Sequence, residues 1–140
     1  MKTFLAGLLS AALLLAPAAR AADAAAAKQP STDRVISHAD LKKVLAQPED
    51  AVILDLRRNA DYDKDALTLP ASRRFDPDKI AEWSGALPKD KEILLFCAHG
   101  RSISNASVDY LTKNGYRARL IAGGFDSWKD AGGATVPKSR

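Results

Sequence analysis

The sequence predicts a small α/β domain built on a mainly parallel sheet flanked by helices. Two observations carry that expectation. Ala51–Leu56 (AVILDL) and Ile93–Phe96 (ILLF) are short continuous apolar runs, the pattern of strands buried on both faces. The stretches around them have helical spacing, and strands that alternate with helices form parallel sheets. A third observation bounds the size. Of the 140 residues, 34–137 are left for the domain once the N-terminal segments are set aside. That length suits a single core.

In chain order, Lys2 gives a short positive start and Phe4–Leu15 an apolar stretch of 12 residues. A bilayer span needs roughly 20. With Ala19-Arg20-Ala21 behind it, residues 1–21 read as a secretory signal peptide cleaved after Ala21. The mature chain is therefore expected to be periplasmic or secreted, with no stable membrane span. Cleavage removes Lys2 and Arg20, so the net charge falls from +4 to +2. That is too mild to imply a nucleic-acid partner, and no basic stripe is interleaved with aromatics. Ala22–Asp33 (ADAAAAKQPSTD) is an Ala-rich, then polar, flexible lead-in.

Val35-Ile36 is a short first strand. Ser37 followed by Asp40 is a capping-box variant. Leu41, Val44 and Leu45 form a helical stripe that Pro48 ends, with His38 a surface residue in the first turn. Ala51–Leu56 is the second strand, ending in Asp55 and Arg57. This is a charge pair either at a site or holding a loop. Tyr62 packs inward, and Arg73–Phe75 is an edge strand. Asp76-Pro77 opens a helix as N-cap and first residue, with Ile80 and Trp83 on its buried face and Gly85 its stop. After Ile93–Phe96, residues Ile103, Ala106, Tyr110 and Leu111 share a helix face closed by Asn114-Gly115. Arg119–Ala122 is the last strand. Gly123-Gly124 turns into a short helix carrying Trp128, and Ala131–Arg140 is a tail.

The chemistry concentrates in Glu92–Ser104 (EILLFCAHGRSIS). Cys97 is the one cysteine of the chain. Exported chains meet an oxidising compartment, where cysteines usually pair. A lone thiol is then either inert and buried or reactive. Its place at a strand end, before a glycine, a basic residue and a helix, favours reactivity. Amides of such a loop and of the first helical turn stabilise an anion, including the thiolate itself. No metal constellation and no Ser-His-Asp arrangement is legible, and the chemistry asks for no cofactor.

Three stretches resemble the rhodanese family, the single-domain sulfurtransferases. They are Leu54–Arg57 with Tyr62, the loop Cys97–Ser102 (CAHGRS), and Asn114–Tyr116 with Ala122–Phe125 and Trp128. Two stretches depart from the family pattern. Asp65–Ser72 replaces the family's Gly-His-Ile-Pro-Gly-Ala. Ser102 stands where many members carry Arg, with Arg101 one residue earlier. The resemblance implies a rhodanese-like three-layer domain that moves sulfane sulfur through a persulfide on Cys97. It implies a small anionic donor such as thiosulfate and a thiol or cyanide acceptor. Arg101 is expected to bind the donor. The amides of Ala98–Ile103, Gly100 and Ser102 among them, would meet the anionic sulfur. His99 is either a further donor or a loop-shaping residue, Arg57 is a lesser substrate-binding candidate, and Asp55 is structural support. A monomer is expected. Two alternatives remain: a non-enzymatic sulfur-carrier or partner-binding module, and a phosphatase or arsenate reductase. The second uses Arg six residues after the cysteine, where this chain has Ile103.

Overall fold

The structure is a computed structural model that describes residues 34–139. The segments read as a signal peptide and a lead-in lie outside the described residues. Five strands form one sheet: β1 (Val35–Ile36), β2 (Ala51–Asp55), β4 (Ser72–Arg74), β5 (Glu92–Phe96) and β6 (Arg117–Ile121), in the order β1-β6-β5-β2-β4. Every pairing in this sheet is parallel. Two-residue strands β3 (Leu67–Thr68) and β7 (Val136–Pro137) pair antiparallel beside it.

The pleat sends alternate side chains to opposite faces. Leu54, Leu56, Ile93, Leu95, Ala118 and Leu120 face one apolar cluster. It is covered by α4 (Ser102–Lys113), through Val108 and Leu111, and by the edge of α3 (Ile80–Trp83). Ile36, Ile53, Leu94, Phe96 and Ile121 face the other cluster. That side is closed by α1 (His38–Ala46), through Leu41, and by α5 (Gly124–Asp130), through Phe125 and Trp128. Helix, sheet and helix therefore make three layers, as expected.

Local signals act where the sequence puts them. Ser37 caps α1: its hydroxyl oxygen accepts from the amide of Asp40 at 3.1 Å and donates to that carboxylate at 2.8 Å. Asp76 caps a 3₁₀ turn, Pro77–Lys79, that leads into α3. The Trp83 indole donates to the Asp76 carbonyl at 2.7 Å and stays half-buried against Phe75. Gly85 does not stop the helix; it lies inside a further 3₁₀ turn, Ser84–Ala86.

Three further readings need correction. The helix α4 buries Ser104, Ser107, Val108 and Leu111, whereas Ile103 and Tyr110 are half-buried and Ala106 is exposed. Two serines replace the apolar side chains that pattern reading looks for. His38 is half-buried, not a surface residue. Its Nε2 lies 2.8 Å from the Ala122 carbonyl and its ring stands edge-on to Trp128. The segment read as a tail contains β7, and the Lys138 amide continues the pairing to the Ala66 carbonyl at 2.9 Å. The stretch Asn59–Ser72, which contains the divergent Asp65–Ser72, forms α2 (Asn59–Lys64), β3 and the start of β4.

This topology fixes where a site belongs. From the neighbouring strands β2 and β5 the chain leaves in opposite directions, β2 onward to β4 and β5 onward to β6. The crevice outside the carboxyl ends of two such strands is where open α/β sheets bind ligands.

Candidate active site

Cys97 follows β5 directly at that crevice, with Arg57 two residues beyond β2. The alternation that sends Ile93 and Leu95 toward α4 sends Cys97 to the same side. There the Ser104 hydroxyl donates to Sγ at 2.7 Å, with Cys97 6% and Ser104 0% exposed. The thiol is buried but belongs to neither apolar cluster. Ser104 is the residue that sequence reading missed. The signal was present in the spacing of Ser104, Ser107, Val108 and Leu111, which is that of one helix face.

The helix α4 begins beside the thiol with Arg101 as N-cap, and no side chain caps its first amides. Those amides have no intrahelical acceptor and carry the positive end of the helix dipole. The loop before them is held from the other side. The α5 amides of Phe125 and Asp126 donate to the carbonyls of Cys97 and Ala98 at 2.9 and 3.0 Å. In a trans peptide the N–H lies opposite its own carbonyl, so the amides of Ala98 and His99 turn away from α5.

The close docking of loop and turn accounts for the glycines. A Cβ on Gly124 would stand 2.4 Å from the Gly100 nitrogen and 2.7 Å from the carbonyl oxygens of Ala98 and Cys97. A Cβ on Gly100 would meet the Gly124 nitrogen at 2.7 Å. Both residues have φ in the left-handed region, +64° and +72°.

His99 and Arg101 are exposed on the loop rim, and Ser102 and Ile103 start α4. His99 Nδ1 lies 2.9 Å from Asp126 Oδ2. The Arg101 guanidinium has no hydrogen-bond or ion-pair partner among the described residues.

Arg57 is placed differently. Its guanidinium is 1% exposed and grips Asp55 through Nε (2.9 Å to Oδ1) and Nη2 (2.6 Å to Oδ2). Nη2 also donates to the Leu67 carbonyl at 3.1 Å, and the plane lies 4.5 Å from the Phe125 ring centroid and 5.1 Å from that of Tyr62. Asp55 also accepts from the Arg57 amide and from Thr68 Oγ1. The pair therefore ties the end of β2 to β3. Removing one partner of a buried ion pair costs about 3–5 kcal/mol, because the other charge is stranded. Nη1 has no hydrogen-bond partner among the described residues and lies 3.9 Å from Asp65 Oδ2.

A cleft of about 520 Å³ opens beside the loop, lined by Arg57, Asp61, Lys64, Asp65, Ala98, His99, Asp126 and Lys129. Lys129 bridges its wall by an ion pair to Asp65 and a 3.5 Å approach to Asp126. Partial burial opposes ionisation of Asp65. The Lys129 hydrogen bond, the Leu67 amide and the charges of Lys129 and Arg57 outweigh it and hold the carboxyl below its usual range. The Asp65 hydrogen bond raises Lys129 in return. A second groove, about 430 Å³, lies between Ile80, Ile103 and Tyr110.

A family model for the rhodanese-like domain matches residues 37–131. The chain belongs to the rhodanese-like domain family. Among curated proteins it is 30% identical over 95 residues to the thiosulfate sulfurtransferase GlpE of Coxiella burnetii, covering 67% of this chain and 85% of that one. It is 31% identical over 98 residues to a sulfurtransferase of Allochromatium vinosum, covering 66% and 85%. Among solved structures, a rhodanese-related protein from Thermoplasma volcanium superposes with a TM-score of 0.65 at 27% identity, covering 75% of this chain and 99% of that one. The rhodanese-like chain thus shares its family with sulfurtransferases, whose substrates are sulfur donors and acceptors.

Proposed function

We propose that this chain is a sulfurtransferase that takes sulfane sulfur from a small anionic donor such as thiosulfate and carries it as a persulfide on Cys97. The observation that carries the reading is the Cys97 sulfur itself, which accepts the Ser104 hydroxyl at 2.7 Å beside the uncapped start of α4. Hydrogen bonds to a charged group are worth about 1.5–3 kcal/mol, and a helix N-terminus adds about 0.3–1 kcal/mol. Both favour an anionic sulfur.

The Cys97 thiolate attacks the outer sulfur of thiosulfate. The new S–S bond forms as the donor's S–S bond breaks, and sulfite leaves with the electron pair. Cyanide or a thiolate then attacks the outer sulfur of Cys97–S–S⁻, and the Cys97 thiolate is released. Arg101, on the loop rim, binds the dianionic donor. The amides of Ala98–Ile103 meet the anionic outer sulfur. Asp55 and Arg57 hold the neighbouring loop in place.

Steady-state assay with thiosulfate and cyanide tests this. Thiocyanate should form with the wild type and fall to background in Cys97→Ser. Background rates with both would favour a carrier or binding module. Hydrolysis of phosphate esters, lost in the same variant, would favour a phosphatase. We further propose that the mature protein is exported, on the strength of Lys2, Phe4–Leu15 and Ala19–Ala21. Intact mass of the protein from its own host should begin at Ala22.

A further inference from the structure

We propose that His99 is the base that takes the proton from a thiol acceptor, with Asp126 as its positioning residue. The inference rests on the persulfide reading above and adds the acceptor's class.

Four observations lead to it. His99 Nδ1 is 2.9 Å from Asp126 Oδ2. In the neutral ring that partnership places the proton on Nδ1 and the lone pair on Nε2. Asp126 is fixed relative to the loop, because its amide donates to the Ala98 carbonyl at 3.0 Å. Lys129 approaches the other carboxylate oxygen at 3.5 Å. The imidazole is 60% exposed, belongs to a residue two positions along the chain from Cys97, and stands on the wall of a cleft with room for a small molecule.

The two acceptor classes differ in what they need. Sulfite, the leaving group of the loading step, is itself an anion and attacks with no proton to lose. A small thiol titrates near about 8.5, so at neutral pH it must lose a proton to attack. A base at the loop rim meets that need. His99 Nε2 takes the thiol proton and the sulfur attacks the outer sulfur of Cys97–S–S⁻. The new S–S bond forms as the Cys97 bond breaks, and the electron pair returns to Sγ. His99 then protonates the departing persulfide, so the acceptor leaves as RSSH and the imidazole is neutral again. No oxidant or reductant is consumed.

The test begins from protein already loaded at Cys97 and follows loss of the sulfur by rapid quench and mass spectrometry. Inorganic polysulfide loads it, so failure of thiosulfate turnover does not prevent the experiment. The acceptors are sulfite and 2-mercaptoethanol. In His99→Asn the rate with 2-mercaptoethanol should fall about 100-fold, and at least tenfold more than the rate with sulfite. The variant's thiol rate should climb about tenfold per pH unit up to the thiol's own ionisation. The wild-type slope should be flatter. Arg57, Asp61, Lys64, Asp65, Asp126 and Lys129 also face the imidazole or its cleft. They are common to both proteins, so the difference in slope belongs to His99. Asp126→Asn should show part of the same acceptor-selective loss, and Asp126→Glu should recover it. Equal losses with both acceptors, no loss with either, or parallel pH slopes would overturn the assignment while leaving the persulfide reading intact. Failure of Cys97 to load from either thiosulfate or polysulfide would overturn both.

Discussion

Replacing Ser104 with alanine removes one oxygen from beside the sulfur and leaves the fold's apolar contacts in place. The hydroxyl donates to Sγ at 2.7 Å with both residues buried. Water therefore does not replace the lost donor. A hydrogen bond to a charged group is worth about 1.5–3 kcal/mol. If the bond acts on an anionic sulfur, kcat/KM for thiosulfate should fall roughly 10- to 150-fold. The cost to folding is smaller, about 1 kcal/mol for a bond to a neutral thiol, or about 4–8 °C in Tm for a domain of this size. The assay is thiocyanate formation well below the melting transition, with Tm measured in parallel. A loss of activity below about threefold would refute the reasoning, since the hydroxyl would then hold no charge. An activity loss that tracks a large unfolded fraction would refute it as well.

Gly124→Ala should destabilise the chain by more than about 2 kcal/mol and lower activity, because its Cβ meets backbone at 2.4 Å with φ at +72°; urea unfolding and thiocyanate formation read the two effects. Arg101→Ala should reduce thiosulfate use at least about tenfold while changing stability by less than about 0.5 kcal/mol, as the side chain is exposed; equal loss of both would mark it as structural. Asp65 has its folded pKa below the ordinary 3.8, so its stabilisation is complete above that value and is lost as the pH falls through the lowered one. The Tm gap between wild type and Asp65→Asn should therefore be steady near neutral pH and shrink below about pH 4.

What the sequence showed follows from where burial is two-sided. The runs AVILDL and ILLF sit in mid-sheet, where both faces are covered, and their apolar continuity is the record of that. β7 left no such record. It is two exposed residues, held by pairing with β3 and by the Lys138 amide. The face of α4 was misread for a chemical reason. The buried side of its first turns packs Ser104 against a sulfur and adds Ser107, while apolar Ile103 and Tyr110 line an open groove. Cys97, Gly100 and Gly123-Gly124 were legible because few residue types fit a strand end, a left-handed loop and a turn pressed together. The His99–Asp126 contact was not. It depends on α5 docking onto the loop, a relation between segments 27 residues apart in sequence.

The central claim is that one cysteine sulfur at the end of β5 takes up and gives back a second sulfur. Intact-protein mass spectrometry after brief exposure to thiosulfate tests this most directly. The account predicts that the protein gains the mass of one sulfur atom, localised to Cys97, and that cyanide removes it. A folded protein that gains nothing, or gains it elsewhere than Cys97, would contradict the account.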